Sequence, residues 1–79
     1  MSDLDKVLTI ISETFGIDKA TIKDEMTPDI IEKWDSVTHM DLLTKFESAF
    51  NINFEMEEIS EMISIEMIKK VLKKHGVNI

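Results

Sequence analysis

The chain has 79 residues, of which 43% are hydrophobic, and a formal net charge of −7 from 16 acids against 9 lysines. That length and apolar content supply one small core, so residues 1–79 read as a single domain of modest stability. The absence of cysteine excludes a disulfide framework, a thiol nucleophile and a thiolate metal site, and any thiol chemistry has to come from an attached group.

Leu4, Val7, Leu8, Ile11 and Phe15 recur at helical spacing with Asp3, Asp5, Lys6 and Glu13 between them, which predicts a first helix over residues 3–15. Ser2 or Asp3 is placed to cap its start and Gly16 to end it. Residues 16–35 hold no sustained period and include the one proline, Pro28, which biases Thr27 away from helical geometry. A connection of about twenty residues is long for a compact domain, and such loops are usually functional or disordered. Ile17, Ile22, Met26, Ile30 and Ile31 predict that this one packs across the bundle, with room for a helical turn near residues 28–33.

From Ser36 to Phe50 the residues Met40, Leu43, Phe46 and Phe50 repeat at steps of three and four, with Leu42 at the margin. On a helical wheel Leu43, Phe46 and Phe50 fall within an arc of about 60° that faces the core, while Val37, Asp41 and Lys45 turn away from it. Asn51-Ile52-Asn53 reads as a turn. After Phe54, the acids Glu55, Glu57, Glu58 and Glu61 alternate with Met56, Ile59, Met62 and Ile63, enough for a short third helix of about two turns. Ser64 is a cap for a last helix on which Ile65, Ile68, Val71 and Leu72 share one side. Lys69, Lys70, Lys73 and Lys74 suit the negative end of its dipole, Gly76 closes it, and Val77-Asn78-Ile79 are expected to fray. The whole is an all-α chain: a small four-helix bundle of three longer helices and one short third helix, with a long loop between the first and second.

Charge is unevenly placed along this layout. Residues 24–66 carry twelve acids against Lys33 and Lys45, or −10, whereas residues 67–79 carry four lysines and no acid. An anionic middle repels nucleic acid and anionic membrane and steers basic protein surfaces toward itself, although it also serves simply to keep a small domain in solution. The start, Met1-Ser2-Asp3-Leu4-Asp5-Lys6, is acidic where a signal peptide is basic and then apolar, and a cytosolic location is expected.

Little in the chain supports catalysis. His39 and His75 are the two histidines, far apart in sequence, and no metal-ligand spacing joins them; His39 reads as a residue at the edge of the core. Asp24 to Asp35 lacks the alternating oxygens and central glycine of a calcium loop, and Gly16 and Gly76 are the only glycines, too few for a phosphate-cradling loop. A Ser36-His39 nucleophilic pair is weakened by the absence of a second histidine or a glycine-rich oxyanion segment nearby, so an enzyme is not expected. Taken alone, Asp35-Ser36 ahead of a helix is a pair of ordinary N-caps.

The layout as a whole is more informative. Asp35-Ser36-Val37 followed by Met40-Asp41-Leu42-Leu43 and Phe46-Glu47-Ser48-Ala49-Phe50 resembles the acyl carrier protein family, and the likeness spans essentially the entire chain. The resemblance implies that a phosphopantetheinyl transferase esterifies Ser36 with 4′-phosphopantetheine from coenzyme A, and that the terminal thiol of this cofactor holds an acyl or aminoacyl group as a thioester. It implies further partners: an acyl- or aminoacyl-activating ligase, and acyltransferase or synthase clients with basic surfaces, all visiting a monomer. A phosphodiester on Ser36 would sit where free N–H groups and the dipole favour negative charge by about 0.3–1 kcal/mol. Asp35 is then the structural cap and a contact for the transferase, Val37 the apolar contact beside the arm, Asp41 and Glu47 the anionic contacts, and Glu55, Glu57, Glu58 and Glu61, foremost Glu57 and Glu58, a secondary patch.

Three departures from the family pattern point to a dedicated carrier in a specialised pathway. Val37 stands for the usual leucine, Trp34 precedes the motif, and Lys45, Ser48 and Ala49 thin the acidic run of the second helix. Met40, Met56, Met62 and Met67 are either ordinary gap fillers or flexible side chains that yield to a bound acyl chain. The rival reading is a small acidic interaction module of inhibitor or immunity type, in which Ser36 only caps a helix. Under either reading, millimolar Mg²⁺ at matched ionic strength is expected to raise the melting temperature by relieving repulsion within residues 24–66; an unchanged melting curve would contradict this.

Overall fold

The computed structural model describes residues 2–79, and over them the chain is helical without strands: α1 (Asp3–Phe15), α2 (Ser36–Phe50), α3 (Met56–Glu61) and α4 (Ile65–Lys74), with a 3₁₀ turn at Lys19–Thr21. The small helical bundle expected from the periodicities is the observed architecture. Each helix end has a local cause. Ser2 caps α1 through the Asp5 N–H at 3.2 Å, and Gly16 ends it at φ 65°, a left-handed conformation in which its own N–H and that of Ile17 both reach the Ser12 carbonyl. Asn51 closes α2 in the same way at φ 54°, and Ser64 caps α4 through the Met67 N–H at 3.2 Å.

The apolar stripes meet in one core. Val7, Ile11 and Phe15 of α1 pack with Leu42, Leu43 and Phe46 of α2, Met62 after α3, and Ile65, Ile68, Val71 and Leu72 of α4. The second helix is rotated slightly from its sequence reading: Leu42 is 0% exposed and Met40 47% exposed, so the buried arc includes the residue placed at the margin and excludes one assigned to the repeat. The cause is the neighbouring elements, because α2 is covered on its Leu42 side and open on its Met40 side, where the chain leaves a cleft. Met56 and Ile63, expected as apolar partners of α3, are exposed as well, since a helix of six residues buries only one narrow face.

The long loop is held down at three places. Lys19 reaches Asp5 at 2.8 Å and Thr9 at 3.0 Å on α1. Further on, the carbonyls of Met26 and Asp24 accept the first N–H groups of α4, from Ile65 and Glu66, both at 3.0 Å, and Lys69 pairs with Asp24 at 2.6 Å. These contacts satisfy donors that a helix start leaves orphaned. Finally Ile31 and Trp34 are buried in the core. Ile30 is exposed against expectation: Thr27 closes a single turn onto Ile30 and Ile31, and only the second of that pair points inward. The tail is also tied instead of frayed. Val77 is buried, and the Asn78 N–H donates to Asp3 at 3.0 Å at the start of α1.

The rotation of α2 has a measurable consequence. In urea denaturation Leu42→Ala is expected to cost about 2–5 kcal/mol as a cavity in a packed core, against no more than about 0.5 kcal/mol for Met40→Ala at an exposed site; comparable losses would restore Met40 to the core.

Candidate functional site

The head of α2 is built by Asp35 and Thr38. Asp35 has extended backbone, and its Oδ1 accepts the N–H groups of Val37 at 3.0 Å and Thr38 at 2.9 Å, while Thr38 Oγ1 accepts the Asp35 N–H at 2.9 Å. This reciprocal pair is a capping box in which threonine takes the place of the more usual glutamate or glutamine. Thr38 also donates to the Lys33 carbonyl, which fixes the direction from which the loop enters the helix. The bonds to Asp35, first that from the Thr38 N–H, hold its carboxyl below the ordinary value of 3.8 despite some desolvation.

With the cap assigned to Asp35, Ser36 occupies the first helical position as an exposed residue, and the capping bonds run past it. Asp35 also claims the Val37 and Thr38 amides that were expected to be free for a phosphodiester. What remains for an anion on Ser36 is the dipole of a 15-residue helix, close to a carboxylate that already carries charge. Val37 is 77% exposed beside Ser36, as its place on the wheel predicts. Asp41 is exposed one turn on and pairs with Lys45 at 3.3 Å.

The other acids divide. Glu57 is exposed on α3, in keeping with a surface role. Glu47 is only half-exposed, and its Oε2 accepts the Phe54 N–H at 2.9 Å, which ties the end of α2 to the segment leading into α3. Glu58 is a correction: it is 5% exposed and committed to internal bonds. Its Oε1 accepts the Glu55 N–H at 2.9 Å and closes the start of α3; His75 donates to the same carboxylate at 2.9 Å, and Lys74 lies 3.5 Å away. The Glu55 N–H above all, and His75 after it, hold the Glu58 carboxyl below its usual 4.5. Sequence spacing gave no hint of this, because His75 is seventeen residues away and packs its ring edge-on against Phe54 at 5.4 Å.

Beside Ser36 lies an open cleft of about 510 Å³ between the start of α2 and the α3–α4 junction. Met40, Ile59, Met62, Ile63 and Pro28 make it apolar, and Asp35 and Ser36 stand at its mouth. Trp34 and His39 form its inner wall. The Trp34 indole N–H donates to His39 Nδ1 at 3.0 Å, which leaves Nε2 as the protonated nitrogen and directs it to the Ile59 carbonyl, also at 3.0 Å. One ring thus joins the loop to α2 and α2 to α3. The indole also packs against Phe15 of α1, centroid to centroid 5.1 Å. His39 is the half-buried core-edge residue its wheel position implied, but the indole partner was not read from the sequence.

Among the described residues no group of three or more histidine, aspartate or glutamate side chains is arranged to hold a metal ion, and no helix is long and apolar enough to cross a membrane. No family model and no curated protein matches the chain.

The Glu58 carboxyl has a consequence for stability against pH. Its folded value is depressed, so its contribution is present above the ordinary value of 4.5 and is lost as pH falls through the folded one. Glu58→Gln is expected to melt lower than the parent at neutral pH and to lose less on acidification below pH 4.5; parallel acid limbs in the two proteins would show that Glu58 carries no such linkage.

Proposed function

We propose that the chain is a carrier protein of the acyl carrier class, with Ser36 as the attachment point for 4′-phosphopantetheine. The observation that carries this reading is the division of labour at the head of α2, where Asp35 does the capping and leaves the Ser36 hydroxyl exposed and uncommitted at the mouth of an apolar cleft. The cofactor, when attached, supplies a flexible arm and a thiol that carries an acyl or aminoacyl group as a thioester.

The residues of the chain then have distinct tasks. Asp35 and Thr38 hold the first turn rigid, so that Ser36 is presented to a transferase in one orientation. Val37 offers an apolar contact next to the attachment point, and Asp41 and Glu57 offer exposed charge to basic client surfaces. Glu47 and Glu58 do not belong to that address, because their carboxylates are used inside the fold. Clients meet a small, strongly anionic domain through brief encounters steered by charge. The thinned acidic run of α2 and the Trp34-His39 pair beside the motif favour a dedicated role in a specialised pathway of the cytoplasm.

Incubation with coenzyme A and a broad-specificity phosphopantetheinyl transferase, followed by intact-mass measurement, tests the proposal. The parent is expected to gain one phosphopantetheine group and Ser36→Ala none. Failure of the folded parent to gain mass with two different transferases would overturn the proposal and leave the acidic interaction module as the better reading.

A further inference from the structure

We propose that the solvent side of α4 is a second docking surface, and that it takes a short acidic segment of a partner protein, with two carboxylates about 5–7 Å apart beside an apolar side chain. This surface shares no lining residue with the cleft beside Ser36 and needs no cofactor, so it goes beyond the carrier reading and does not rest on it. Because α4 gives Ile65, Ile68, Val71 and Leu72 to the core, Lys69, Lys70 and Lys73 fall together on its other side, within an arc of about 100°. There a groove of about 360 Å³ is shared by these lysines, by Leu4 at the start of α1 and by Ile79 in the tail. The helix dipole accounts for Lys73 and Lys74 in the last turn. It accounts neither for Lys70 in the middle of the helix nor for the apolar residues in the same groove.

The first half of α4 shows the mode of contact. The long loop covers it, with the Asp24 and Met26 carbonyls on the N–H groups of Glu66 and Ile65 and the Asp24 carboxylate on Lys69 at 2.6 Å. That cover stops at Lys69. Lys74 is drawn to Glu58 at 3.5 Å, whereas Lys70 and Lys73 are exposed and form no ion pair among the described residues. Three residues apart on a helix, these two stand about 5–6 Å from each other at Cβ, which sets the spacing of the carboxylates they take. Glu66, exposed at the N-terminal end of the groove, repels a carboxylate there and directs the segment to Lys70 and Lys73. Leu4 and Ile79 supply the apolar contact. The length of the occupant is limited by the remaining charge. The chain is −7 overall, its Cα trace measures only 29 × 28 × 19 Å, and Asp24 and Glu66 line the groove itself. Nucleic acid, an anionic membrane or a second copy of this domain brings more negative charge within a Debye length, about 8 Å at physiological ionic strength, of those acids. A short segment reaches the lysines without that repulsion.

An NMR titration of the unmodified protein with a blocked pentapeptide, glutamate at its second and fourth positions and leucine at its third, tests this. Shifts are expected at Leu4, Lys70, Lys73 and Ile79, with Met40 and Ile63 of the other cleft unmoved. Lys70→Gln combined with Lys73→Gln is expected to lower the affinity about 2- to 30-fold, the loss that two exposed ion pairs account for. Lys69 is left in place because it ties down the loop. The peptide with glutamine at both acidic positions is expected to lose as much against the parent. No shifts at millimolar peptide, equal affinity for the glutamine peptide, or full affinity in the double variant would overturn the proposal. Vesicles containing phosphatidylglycerol and a dilution series of the protein alone separate the other occupants. Broadening of the same resonances by vesicles would assign the face to an anionic membrane, and concentration-dependent shifts without peptide would assign it to a second copy; either result in place of the peptide shifts overturns the proposal. The peptide needs no arm, so the outcome is independent of whether Ser36 gains mass with coenzyme A.

Discussion

The structure depends on the anchoring of Trp34. A domain of 79 residues that places about twenty of them in a loop has to make that loop part of the core or lose the packing it displaces. Trp34 does this in three directions at once, against Phe15 on α1, to His39 on α2, and through His39 to the Ile59 carbonyl on α3. Because the indole N–H finds a partner, its burial carries no unpaired donor. The next residue is Asp35, so the position of the indole also sets the geometry of the cap and, one residue later, of Ser36.

Polar groups inside the bundle are used with the same economy. No buried side-chain nitrogen or oxygen among the described residues lacks a partner. Glu58 shows how this is achieved. A carboxylate in a nearly closed site accepts a backbone N–H from its own helix start and a second donor from His75 at the far end of α4, so one buried charge joins α3 to α4. Glu47 does the corresponding work between α2 and the chain leading into α3. The short helix, too brief to be stable by itself, is held by these two acids as well as by Ile59 and Met62.

The same fact changes the meaning of the acidic composition. Asp35, Glu47 and Glu58 are structural, whereas Asp41, Glu57 and Glu61 remain at the surface. The apolar cleft has an exposed serine and one acid, Asp35, among its lining residues.

How much of this was legible in the sequence depends on how local each cause is. The bounds of α1 and α2, their caps at Ser2 and Asp35 and their ends at Gly16 and Asn51 follow from contacts within four or five residues, and local spacing carries that information. The exposure of Val37 and the burial of Ile68 and Leu72 follow from helical phase alone. The choice of Leu42 over Met40 and of Ile31 over Ile30, the internal use of Glu58 and the tie of Asn78 to Asp3 do not. Each is settled by an element distant in the chain: the cleft that leaves Met40 uncovered, the core that has room for one isoleucine of a turn, the imidazole arriving from α4. Sequence by itself determined the helices, their caps and the place of Ser36, because hydrogen bonds near in the chain specify these. The cleft beside it, and which carboxylates face solvent, were decided only when the helices packed, because burial is a property of what lies across the gap and not of the residue.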